Sequence, residues 1–104
     1  MTDPDPLQTV FEPDETVQVV AQARQHRVIV TDRRLAVADD ERVALHVPFE
    51  ALRRIQFDIE RDRPATLVIV PESPSDEPQV LAVPPEDYED IAAALVVIGH
   101  RLAR

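Results

Sequence analysis

Arg27-Val28-Ile29-Val30-Thr31-Asp32-Arg33-Arg34-Leu35-Ala36-Val37 sets two apolar runs on either side of a four-residue polar turn. Aliphatic and β-branched runs bounded by turn formers read as strands, and two this close read as a tight antiparallel hairpin. The pattern predicts strands at residues 27–30 and 35–38, with Thr31 and Asp32 hydrogen-bonding the turn backbone. One of Arg33 and Arg34 is then expected to pair with a neighbouring carboxylate.

Upstream, residues 15–23 alternate. Val17, Val19 and Ala21 are expected on one face, and Thr16, Gln18 and Gln22 on the other. Downstream, the same reading predicts strands at 43–47, 54–60, 65–70 and 79–83. Val43, Leu45 and Val47 are expected to point inward from the first of these, with His46 outward. Ile55, Phe57 and Ile59 are expected to face the core from the second. The 65–70 run is apolar on both faces except at Thr66, which suggests cover by a helix. Pro48-Phe49-Glu50-Ala51-Leu52 breaks a strand, and the three prolines within residues 71–78 exclude a ladder there.

After Pro84-Pro85 a helix is expected. Acidic residues 86, 87, 89 and 90 suit its positive end and His100 and Arg101 its negative end. Tyr88, Ile91, Leu95, Ile98 and Leu102 repeat at helical spacing and form one apolar stripe. Seven short strands with no helices between them exclude a parallel α/β sheet. The expected architecture is mainly β with one C-terminal α-helix, a barrel of about seven antiparallel strands capped by that helix. Its expected core is Val17, Val19, Val28, Val30, Leu35, Val37, Leu45, Ile55, Phe57, Leu67, Ile69, Tyr88, Ile91, Leu95 and Ile98. Residues 1–6 read as a mobile acidic lead-in and 7–104 as a single domain, with Leu7, Val10 and Phe11 spaced to share one face of a short cover.

The strand ending in Thr31-Asp32-Arg33-Arg34-Leu35, after an acidic residue and a valine-bearing strand at Glu15 to Val20, resembles the small bacterial pleckstrin-homology-like domains. The resemblance spans about residues 7–103. It implies two nearly orthogonal sheets closed by a C-terminal helix, and a module defined by fold more than by activity. In eukaryotic pleckstrin-homology domains a basic loop between the first strands binds phosphoinositide head groups. Some bacterial members assemble through sheet edges.

Composition removes most chemistry. The 104 residues contain no cysteine and no lysine; all eleven cationic side chains are arginine. Disulfides, thiolate metal sites, thiol nucleophiles, Schiff-base lysines and the P-loop lysine are therefore excluded. The sole glycine, Gly99, rules out a glycine-rich phosphate cradle. A net charge of −9 disfavours nucleic acid and anionic membranes as partners. The apolar stretch at 91–99 is too short to span a bilayer, the acidic start is not expected to act as a signal peptide, and a cytoplasmic protein is the simplest expectation.

Four candidate sites remain. Arg33 and Arg34, with Arg53 and Arg54, form a candidate anion- or lipid-binding cluster. His26, His46 and His100 show no metal-ligand spacing, so no metal or other cofactor is expected. Asp58 and Glu60 share a strand face, but with 20 acidic residues such pairs arise by chance. Val17, Gln18, Val20 and Gln22 mark the first strand as a candidate partner surface, since residues 17–23 carry no proline and no positive charge to guard an edge. The leading expectation is a non-enzymatic module that binds a protein partner or itself as a homo-oligomer. The alternative is a lipid- or anion-binding domain.

Overall fold

The computed structural model describes residues 10–102. Seven strands precede one helix: β1 (Val17–Ala23), β2 (His26–Thr31), β3 (Arg34–Ala38), β4 (Val43–Pro48), β5 (Leu52–Asp58), β6 (Ala65–Pro71), β7 (Gln79–Val83) and α1 (Tyr88–Leu102). The strands form two antiparallel sheets, ordered β1-β2-β3-β4 and β5-β6-β7. Every ladder joins strands adjacent in sequence, as the short turn-bounded runs predict. A single 3₁₀ turn, Phe49–Ala51, carries the chain from one sheet to the other, and the Glu72 amide returns to the Ala51 carbonyl at 2.8 Å. The lead-in expected at residues 1–6, and Leu7 of the expected cover, lie outside the described residues.

The inner faces of both sheets and one stripe of α1 make a common core. Val28, Val30, Leu35, Val37, Leu67, Ile69, Val83, Ile91 and Ile98 are all buried in it. The helix lies chiefly over β1 and β2. Small residues make this close approach possible, with Ala21 and Ala23 of β1 and Ala94 of α1 all buried. At the helix start, the Tyr88 ring meets Phe57 of β5 edge-on, with centroids 5.8 Å apart, and ties α1 to the second sheet.

A second, smaller apolar cluster sits on the outer face of the four-stranded sheet. Ile29, Ala36 and Ala38 are buried there, with Val10, Phe11 and Val43 packed against them. The predicted cover by Val10 and Phe11 therefore acts on the outside of the sheet.

Several expected positions shift, each for a local reason. A bulge between Val17 and Val19 turns Val17 out of the core, leaving it 47% exposed. A second irregularity, where Ala38 meets β4, sends Ala44 toward the main core and Val43 to the outer cluster. β5 starts two residues early, at the buried Leu52, and ends at Asp58, so Ile59 falls beyond the ladder and is 63% exposed. β6 is the middle strand of its sheet; the helix leans on β1 and β2 instead. The stripe on α1 closes at Ile98, and Leu102 is 45% exposed.

Ile98→Ala should therefore cost about 2–5 kcal/mol, whereas Leu102→Ala should stay within about 0.5 kcal/mol of wild type. Urea midpoints measure both, and comparable losses would contradict this account of the last helical turn.

Candidate functional site

The Thr31 hydroxyl organises the β2–β3 turn. It accepts the Arg33 and Arg34 amides, each at 3.0 Å, and donates to the Glu15 carboxylate. One donor and two acceptor positions are thereby all used, in a residue that is fully buried. Glu15 has no exposed side-chain surface, yet three groups satisfy it. Besides Thr31, the Glu12 amide reaches Oε1 at 3.0 Å, and Arg34 Nε reaches Oε2 at 3.0 Å. Burial pushes the Glu15 pKa up, but the Thr31 hydroxyl, the Glu12 amide and Arg34 together outweigh it and hold the carboxyl below its ordinary 4.5.

The surface of the same turn is paired as well. Arg33 Nη2 donates to Asp14 Oδ2 at 2.7 Å, which raises the arginine pKa and lowers that of the aspartate. Asp32 does not cap its own turn: its Oδ1 accepts the Thr16 amide at 2.9 Å, while its amide donates to the Thr16 carbonyl at 2.9 Å. Residues 14–16 are thus fastened along the turn by four consecutive positions, 31 to 34.

Arg33 and Arg34 line an open cleft of about 620 Å³ with Asp32, Pro48, Phe49, Glu50, Arg101 and Leu102. The Arg101 guanidinium lies 5.9 Å from the Phe49 ring centroid. Arg53 and Arg54 do not share this cleft; they are exposed on β5 and line a different depression with Val70. Phe49 and Arg101 are the members that sequence reading missed. The helix-end position of Arg101 was visible, but nothing in the pattern said which turn the helix end would meet. Three arginines in and around the cleft face four carboxylates, Asp14, Glu15, Asp32 and Glu50, so the region has no excess of positive charge.

The other candidates disperse. His46 and His100 are exposed on β4 and α1, and His26 starts β2. Among the described residues no group of three His, Asp or Glu is placed to hold a metal ion. Asp58 is bonded by Gln56 Nε2 at 2.8 Å, and Glu60 lies beyond the strand, 3.7 Å from Arg63. Asp39 acts as a turn former, its Oδ1 accepting the Glu41 and Arg42 amides.

β1 is an edge strand, bonded to β2 alone. β7 approaches it without forming a ladder, and the β1–β2 turn meets Val80, Leu81 and Ala82 across a cleft of about 250 Å³. Val17 and Val20 are about half exposed, and Gln18 and Gln22 are exposed beside them. Among the described residues no helix is long and apolar enough to cross a membrane.

Thr31→Val keeps the shape but strands two amides and takes one of three bonds from the buried Glu15 carboxylate, and should cost about 1–3 kcal/mol. For Glu15, the folded pKa lies below the unfolded one. Its contribution is therefore complete above about pH 4.5 and is lost as pH falls through the folded value. Thermal melts from pH 7 to 3 should show wild type ahead of Glu15→Gln at neutral pH, with the gap closing in acid. A gap that stays constant would refute the assignment.

No protein-family model matches the chain, and no curated protein does. Among solved structures, the chain is similar to the crystal structure of a pleckstrin homology domain from Shewanella amazonensis SB2B. The TM-score is 0.68 at 20% identity, covering 88% of this chain and 78% of that one. At that identity the likeness concerns architecture alone, and it agrees with the two sheets and terminal helix described above: the chain has a pleckstrin-homology-like fold.

Proposed function

We propose that this chain is a non-enzymatic, cytoplasmic interaction module of the small bacterial pleckstrin-homology-like kind. Its partner is a second copy of itself or another protein that adds a strand at β1. The observation that carries this reading is the state of β1. It is an edge strand with no charged residue from 17 to 23 and with Val17 and Val20 about half exposed. Edge strands left without lysine, proline or an inward charge are open to pairing with another chain. The bulge at Gln18 interrupts that edge near one end, so pairing would run through residues 19–23, with Val20 and Gln22 outward. The fold supports an interaction role by analogy, since pleckstrin-homology-like domains are in general binding modules.

A second reading, anion or lipid binding through Arg33 and Arg34, draws on their place in the 620 Å³ cleft beside Arg101. It ranks lower because Asp14 and Glu15 already hold those two arginines, Arg53 and Arg54 lie elsewhere, and the whole chain carries −9. Salt-sensitive binding to anionic liposomes that is lost in an Arg33→Ala, Arg34→Ala variant would reverse the ranking.

Light scattering at low and moderate salt should give a mass above that of one chain. Val20→Lys, which sets a charge on the free edge, should return it to the monomer. An oligomer unaffected by Val20→Lys would remove this edge from consideration. A monomer at every concentration would leave an external partner as the only form of the proposal.

A further inference from the structure

The segment before β1 combines three features that belong together. Its first part is a cover: Val10 and Phe11 lie against Ile29, Ala36 and Ala38 on the outer face of the four-stranded sheet. Its middle is a latch, the Asp14–Arg33 bond of 2.7 Å, which sits in solvent with the two side chains 74% and 40% exposed. Its end is an anchor, the buried Glu15 held by Thr31, Arg34 and the Glu12 amide. Neither a strand nor a helix includes residues 10–16. The anchor is costly to break, whereas the latch is an exposed ion pair of small net strength and is screened by salt.

We propose that residues 10 and 11 are a strap, hinged at the Glu12–Glu15 turn, that opens and closes over the outer face of the sheet under control of the Asp14–Arg33 latch, which holds that turn on the hairpin. Register defines what opening uncovers. Val20, Ile29 and Ala36 are successive partners across β1, β2 and β3, so they form one cross-strand row on that face. Val20 is already 53% exposed, while Ile29 and Ala36 are hidden. Lifting the strap therefore extends the apolar surface inward from the β1 edge, where the partner would be a second copy of the chain. That last step rests on the self-assembly reading above; the strap does not.

Because the protein contains no cysteine, one introduced thiol reports one place. Ala36→Cys puts the reporter under the strap, and Ala21→Cys puts a control in the main core; both parent side chains are fully buried. Thiol-reagent labelling at Ala36→Cys should run faster than at Ala21→Cys, which opens only on global unfolding. Adding Asp14→Ala should raise the Ala36→Cys rate about two- to five-fold and leave the Ala21→Cys rate unchanged. Moderate salt should do the same to the latched protein and nothing more to Asp14→Ala. Equal rates at the two thiols, or no effect of Asp14→Ala, overturn the strap.

Light scattering on Asp14→Ala without any reporter then addresses assembly. A larger oligomeric fraction than wild type supports control of self-association by the strap. An unchanged fraction in a chain that does associate overturns that control. Faster labelling in a chain that never associates upholds the strap and counts only against the self-assembly reading.

Discussion

The buried carboxylate of Glu15 is the constraint on which the first sheet depends. A charge out of contact with water is tolerated only when fully bonded, and here one hydroxyl, one amide and one guanidinium do that work. The bonding fixes more than the glutamate. Thr31 can serve Glu15 only while its oxygen accepts the two amides of the turn. The same side chain therefore closes the β2–β3 hairpin and secures the segment entering β1. Replacing the whole set with apolar residues removes the means by which residues 12–16 find their place, whatever it does to stability.

Much of the fold was legible because the two periodicities differ so clearly. Alternation at residues 54–57 and the 3-4-3-4 spacing from Tyr88 to Ile98 each need one buried face, and the apolar runs at 27–30 and 35–38 need two; the structure supplies them. What escaped the sequence is where periodicity is broken. The bulges beside Gln18 and at Ala38 change which face a valine occupies, and no residue type announces them. Alanine was undervalued for a related reason. Ala21, Ala23, Ala36, Ala38 and Ala94 are buried because helix, strap and sheet come close there, which is a property of the assembled layers.

The candidate site was legible only in part. Arg33 and Arg34 could be singled out, and their pairing with acids followed from composition. The identity of those acids did not, because Asp14 and Glu15 lie 19 residues away along the chain and meet the turn only through the β1–β2 ladder. Arg101 illustrates the same limit. Its role beside Phe49 depends on α1 crossing the first sheet so that its end reaches the link between the sheets. By contrast, Val20 could be singled out because the absence of charge lies within one continuous run, whereas the place of β1 at the end of its sheet is set by the strand order.

The packing of α1 on β1 has a consequence for how the protein is made. Each sheet is a meander whose ladders join sequence neighbours, so both can zip locally and early. The lid over the first strand comes after all seven strands. On a ribosome, the inner face of Ala21 and Ala23 must wait for residues 88–98 to emerge, some 70 positions later. At synthesis rates of about 5–20 residues per second, that is an interval of several seconds in which the first sheet stands open on its core side. Small side chains along that part of β1 limit what a stray chain could grip during the wait.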